Sequence, residues 1–146
     1  MWKRFKNIFA KKPVEISPQF SNRLILTIDD DLTQRTMIER TLQKAGLRVL
    51  TAEDGEKGLE AARAQNPDVI LLDVIMPGMR GNEVCRRLKS DSRTKNIPVL
   101  FLTSMDDPKD VIEQYELGAE IHLTKPINPK ELIRQIEITL NSQNPK

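Results

Sequence analysis

A lone cysteine, Cys85, excludes an internal disulfide and any CxxC metal or redox site. Its place in a helical pattern over residues 83–89 makes it a small packing residue rather than a nucleophile. Long apolar runs are missing too, and nothing approaches the ~20 residues of a membrane span. The first twelve residues have no signal-peptide core, Ile8, Phe9 and Ala10 being their longest apolar stretch. A reducing, cytoplasmic setting fits these absences. A large charge imbalance is likewise lacking, the formal net charge being +2. At 146 residues the chain has room for one domain with a core and not for a second.

What charge there is lies unevenly. Lys3, Arg4, Lys6, Lys11 and Lys12 stand in the first twelve residues without an acid, so the body of the chain is mildly acidic. Trp2, Phe5, Ile8 and Phe9 recur at helical spacing, which makes this leader a basic amphipathic helix. Residues 2–12 either dock, on an anionic membrane surface or in a partner's groove, or pack on their own domain or fray as a terminus. Pro13 and Pro18 bracket an irregular linker. The division read from the sequence is extension and linker over 1–22, a domain over 23–142 and a short tail over 143–146.

From Arg23 onward, strand and helix patterns alternate five times. Strands are read at 24–28, 47–52, 68–73, 98–102 and 120–124, and helices at 32–45, 55–65, 82–89, 107–118 and 129–140. Met37, Ile38, Leu42 and Ala45 form the inward stripe of the first helix, with Gly46 as its stop. Asn82 is read as the cap of the third helix. Val69 to Leu72 is apolar at every position, so both faces are covered and the strand is interior. Alternating βα units with right-handed crossovers give an α/β fold, a parallel sheet with helices on both faces.

Five polar groups follow directly from strand ends: Asp29 and Asp30, Asp73, Thr103 and Lys125. A parallel sheet carries all those ends to one edge, where ligands of open α/β sheets bind. Clustered carboxylates repel by roughly 4 kcal/mol per pair at 4 Å in a partly screened environment. Something positive must sit among them. A hard divalent ion fits, and Mg²⁺ suits few carboxylates completed by water and phosphate oxygens. With Lys125 and Thr103 alongside, the set is equipped for phosphoryl transfer, with Asp73 as the nucleophile forming an acyl phosphate.

The stretches LILTIDDD, DVILLDVIMPG, VLFLTS and LTKP, in this order over about residues 23–141, resemble the receiver domains of two-component response regulators. The resemblance implies a (βα)5 doubly wound, flavodoxin-like fold with a five-stranded parallel sheet in the order 2-1-3-4-5. It also implies that Asp73 takes a phosphoryl group from a histidine kinase or phosphotransfer protein. Asp30, Asp73 and the backbone carbonyl of Ile75 would then bind Mg²⁺ directly and Asp29 through water, while Thr103 and Lys125 contact the phosphate. A cis Lys125–Pro126 bond is implied as well.

Two departures from the family's habits bear on mechanism. Where receivers tend to carry an aromatic switch residue in the last strand, this chain has His122, which is smaller and titratable. Ile75 and Met105 occupy the positions that flank the path of attacking water in the receivers this chain resembles, and neither can orient a water, so a long-lived phosphoryl group is expected. Thr103 and His122 together would switch the surface of the fourth helix, last strand and last helix. Val111, Ile112, Tyr115 and Leu117 supply that surface with apolar residues for a target protein or a second copy. With six residues left after Leu140, output is expected through such binding, without direct contact to nucleic acid. Two rival readings stay open. One is a haloacid dehalogenase-like phosphatase using Asp29 in the DxDxT pattern at 29–33. The other is an adaptor that keeps the fold and is never phosphorylated.

Overall fold

The computed structural model describes residues 14–104, 108–119 and 121–143, and the leader at 2–12 and Met105 lie outside them. Five strands, β1 (Leu24–Ile28), β2 (Arg48–Ala52), β3 (Val69–Asp73), β4 (Val99–Thr103) and β5 (Ile121–Thr124), form one parallel sheet in the order β2-β1-β3-β4-β5. They alternate with helices α1 (Leu32–Lys44), α2 (Gly55–Gln65), α3 (Gly81–Ser90), α4 (Pro108–Glu116) and α5 (Pro129–Gln143). The architecture is the (βα)5 doubly wound, flavodoxin-like one expected, with β3 at the centre and buried at all five positions. Lys125–Pro126 is cis.

Alternation along each strand divides the interior into two cores. Ile25, Val69, Leu71, Leu100, Leu102 and Leu123 face α1 and α5, where they meet Ile38, Leu42, Leu132, Ile133, Ile136 and Leu140. Leu26, Ile28, Ile70, Leu72, Val99 and Phe101 face the other way, onto Leu59 and Ala62 of α2 and Val84, Cys85 and Leu88 of α3. Burying an aliphatic side chain stabilises by about 1.5–3 kcal/mol, so the two cores fix the sheet's register and hence the alignment of its ends.

Three local expectations need correcting. Met37 is 47% exposed, and the inward stripe of α1 runs through Ile38, Leu42 and Ala45. Those three repeat at four and three residues, whereas position 37 is turned about 100° away from Ile38. Asn82 does not cap α3. Arg80 holds the cap position and its side chain does not cap the helix, and Asn82 is buried in the first turn, its Oδ1 accepting from Nε2 of Gln114 at 3.0 Å. Residues 14–22, expected as an irregular linker, are folded onto the domain. Pro18–Phe20 makes a 3-10 turn, Ile16 and Phe20 are buried in the core under α1 and α5, and Ser17 Oγ donates to Glu137 of α5 at 2.6 Å. Gly46 leaves α1 at φ +102°, and its carbonyl accepts from Asn22 N–H at 2.9 Å.

Candidate functional site

Parallel pairing sets Ile28 beside Leu72, Asp73 beside Leu102 and Thr103 beside Thr124. The residues that follow therefore emerge together at the carboxyl edge. Asp29 N–H prolongs the β1/β2 ladder by donating to Ala52 O at 3.1 Å, and Lys125 N–H donates to Thr103 O at 2.8 Å. Backbone bonding thus places both side chains before they interact. Behind them Gly81 N–H donates to Val74 O at 2.9 Å, closing the turn of residues 74–81 against the end of β3.

Asp29, Asp30 and Asp73 bring carboxylate oxygens within 4.8 Å of one another. Asp29 and Asp73 are buried and Asp30 is exposed. Lys125 Nζ lies 3.3 Å from Asp73 Oδ1 and 3.6 Å from Asp29 Oδ2. Asp29 Oδ1 accepts from Asp31 N–H at 2.9 Å, and Arg35 Nη1 donates to the Asp29 carbonyl at 2.7 Å. Burial pushes the Asp73 carboxyl up to about 6, opposed by the Lys125 ammonium and reinforced by the negative charge of Asp29. The site is short of positive charge.

That shortage is the test of fit for a cation. Asp29 Oδ2 is buried and accepts no hydrogen bond, its only cationic neighbour among the described residues being the Lys125 ammonium 3.6 Å away, which leaves it able to satisfy a metal. Three carboxylates of which one reaches solvent make a hard, open donor set suited to Mg²⁺. The residues present fit the ion.

The remaining candidates spread outward from this cluster. Thr103 is buried at the end of β4, two strands from Asp29. Ile75, two residues past Asp73, is 54% exposed and presents an apolar side chain to solvent beside the site. His122 lies two residues before Thr124, stacked on Phe101 at 5.6 Å between ring centroids and tilted against Tyr115 at 4.6 Å. Desolvation there lowers the pKa of its imidazole. Burial pushes the Cys85 thiol up to about 11, which leaves it an inert packing group. Asn82 and Gln114 are functional candidates that pattern reading passes over. A signal for Gln114 is present in the sequence, since it stands three residues before the half-buried Leu117 that follows α4, on a side of the helix where an amide needs a partner.

A five-stranded doubly wound α/β protein with an acidic pocket, a hydroxyl and an ammonium at the carboxyl edge of its sheet is what fold and site define. The chain belongs to the response regulator receiver domain family, whose model matches residues 25–137. It is 38% identical over 116 residues to protein PilH of Pseudomonas aeruginosa, covering 80% of this chain and 96% of that protein. It is 42% identical over 116 residues to the transcriptional regulatory protein AfsQ1 of Streptomyces coelicolor, covering 80% of this chain and 50% of the relative. The chain thus spans about half the length of several curated relatives it matches. The solved structure of the Vibrio cholerae chemotaxis protein CheY4 superposes with a TM-score of 0.78 at 37% identity, covering 82% of this chain and 100% of that one.

Proposed function

We propose that this receiver takes a phosphoryl group on Asp73 from a histidine kinase or phosphotransfer protein and transmits the change by binding a protein partner. One observation carries the reading: two buried carboxylates at the end of adjacent strands share a single ammonium, so the site favours arrival of further positive charge and of a group bringing its own counter-ions. An Asp73 carboxylate oxygen attacks phosphorus, the bond from phosphorus to the donor's imidazole nitrogen breaks, and the donor leaves with that electron pair. The Lys125 ammonium and the Thr103 hydroxyl would meet the phosphoryl oxygens. Asp29, Asp30 and Asp73, with the backbone carbonyl of Ile75, would hold Mg²⁺. When bound, the ion neutralises charge on carboxylate and phosphoryl oxygens alike.

The phosphatase reading is not favoured. The family match is to receivers, and Asp29 is 1% exposed, so a substrate would have to displace the Asp31 and Lys125 contacts to reach it. The expected partner face has two exposed apolar residues on α4, Ile112 and Tyr115, whereas Leu117 is turned half inward and the Val111 side chain lies outside the described residues. A target protein or a second copy docking on the face of α4, β5 and α5 is part of this proposal, as is docking by residues 2–12. Among the described residues no helix is long and apolar enough to cross a membrane.

Incubation with acetyl phosphate and Mg²⁺, followed by peptide mapping, is expected to place an acid-stable, base-labile phosphoryl adduct on Asp73. An unmodified Asp73 in folded, metal-loaded protein would overturn the assignment. The lifetime of that adduct is a separate expectation. With apolar Ile75 beside the path of water, loss of phosphate is slow, and Ile75→Gln should accelerate it several-fold by offering a hydrogen bond to the attacking water. Time courses of phosphate release from the two purified proteins decide it, and equal rates count against the role given to position 75.

A further inference from the structure

Beside the acidic pocket stands an arginine that gives its hydrogen bond to a carbonyl. Arg35, near the start of α1, is half-buried, and its Nη1 donates to the backbone oxygen of Asp29 at 2.7 Å. Its guanidinium pairs with no carboxylate among the described residues, although Asp29, Asp30 and Asp73 gather their oxygens close by. Neutralising those charges falls to Lys125, 3.3 Å from Asp73 and 3.6 Å from Asp29. The chemistry described so far leaves Arg35 without a use.

Its bond closes a ring around the acidic loop. Asp31 N–H donates to Asp29 Oδ1 at 2.9 Å, Arg35 N–H donates to Asp31 O at 2.9 Å, and the Arg35 side chain returns to Asp29 O. The Asp29 amide is held from the other side, by Ala52 O at 3.1 Å. β2 ends at Ala52, so the ladder that holds this amide does not continue to the carbonyl. Arg35 supplies the missing rung from the helix.

What the rung holds is Asp30. The Asp29 carbonyl and the Asp30 N–H share one rigid peptide plane, so the direction of the carbonyl sets how Asp30 leaves the strand. Asp30 is exposed, and its side chain makes no hydrogen bond among the described residues. An exposed carboxylate held by nothing relieves repulsion from its neighbours by turning into water. Yet its oxygen stays within 4.8 Å of those of Asp29 and Asp73. The backbone keeps it there.

We propose that Arg35 is a positioning residue for the cation site: by fixing the peptide between Asp29 and Asp30 it keeps the Asp30 carboxylate beside Asp29 and Asp73, so that the three oxygens are assembled before an ion arrives. The proposal rests on the Mg²⁺ reading given above. Charge and position predict opposite signs here. Removing a positive charge from the neighbourhood of three carboxylates makes them, by itself, bind a cation more tightly. Releasing the peptide leaves Asp30 to be ordered at the moment of binding, which weakens the site.

Three full-length proteins decide between these signs: native, Arg35→Met, which keeps the apolar stem without charge or donor, and Arg35→Lys, which keeps a charge and a donor. Calorimetric titration with Mg²⁺ alone should give a dissociation constant about fivefold higher for Arg35→Met, as loss of one net hydrogen bond implies, and within about twofold of native for Arg35→Lys. Phosphorylation by acetyl phosphate separates position from general damage. Arg35→Met should need more Mg²⁺ to reach half its maximal rate, while the rate at saturating Mg²⁺ stays near native. Arg35→Met binding Mg²⁺ as tightly as native, or more tightly, overturns the proposal. So does a rate that stays low at saturating Mg²⁺, which marks a distorted site, and so does Arg35→Lys as weak as Arg35→Met, since the bond is then not what holds Asp30. If Arg35→Met does not fold, Arg35→Gln takes its place under the same criteria. Native protein that takes up no Mg²⁺ removes the metal reading and the proposal with it, whereas native binding beside an unaffected Arg35→Met removes only the role of Arg35.

Discussion

Asn in place of Asp73 is expected to abolish phosphorylation and, in the same protein without metal, to raise stability at neutral pH. Loss of the acyl phosphate follows from losing the nucleophile. The gain follows from electrostatics. Burial, with the neighbouring Asp29 charge, holds the folded carboxyl at about 6 against the attraction of Lys125, whereas the unfolded chain's carboxyl titrates near ~3.9. Folding therefore takes up a proton between those values. The favourable contribution of the protonated group is complete below about pH 4 and is lost as pH rises through about 6. At pH 7.5 the ionised Asp73 strains the metal-free fold by roughly 2–3 kcal/mol, which an amide of the same shape avoids. Thermal unfolding without metal should show Asp73→Asn melting some 5–10 °C higher at pH 7.5, with the gap closing toward pH 4. Mg²⁺ should raise the native melting temperature far more than the variant's. Equal melting temperatures at pH 7.5 without metal would contradict the idea that this carboxylate is held against its preference.

Gly81→Ala carries the other large effect, in the opposite direction. A Cβ at this position would stand 2.3 Å from Asp73 O and 2.9 Å from the Val74 Cα. Both are backbone atoms of the central strand's end, and neither can swing aside as a side-chain tip can. The start of α3 must retreat, weakening the Gly81 N–H to Val74 O bond and loosening Val84, Cys85 and Leu88 in the core beneath α2 and α3. Overpacking of this kind costs about 3 kcal/mol or more. Urea unfolding should place the variant's midpoint well below the native one, and phosphorylation of whatever folds should be slower, because the displaced turn carries Ile75. Gly78 makes a useful contrast. It has φ +78°, and a Cβ added there would meet nothing within 4 Å, so Gly78→Ala should cost only the positive φ, about 1–2 kcal/mol.

These effects also mark where sequence reading reaches and where it stops. Val69 to Asp73 announces itself because an unbroken apolar run closed by a carboxylate has few other uses, and the five βα alternations announce a parallel sheet, whose strand order comes only from the resemblance to receivers. The acidic cluster is legible for the same reason: strand ends in a parallel sheet converge whatever the intervening helices do. Asn82 is not, since an asparagine at the start of a helix serves equally well as a cap or as a buried partner, and only the position of Gln114 decides. Residues 14–22 look like linker because two prolines, at 13 and 18, and scattered polar residues hide the two side chains, Ile16 and Phe20, that count. The apolar character of Met37 draws it into the inward stripe, though its angular position on α1 excludes it.

The folded segment at residues 14–22 has a practical corollary for anyone transplanting this module. Ser17 clasps Glu137 late in α5, and Ile16 N–H donates to Ala45 O at 2.8 Å at the end of α1, so this segment bridges the two helices that flank one side of the sheet. Cutting at Arg23, where the strand pattern begins, would strip the plug from the α1/α5 core and expose the neighbours of Ile16 and Phe20 to water. Chimeras should retain the sequence from position 14. A tag or tether fused ahead of it will then emerge at the end of the sheet opposite Asp73, leaving the reactive edge unobstructed.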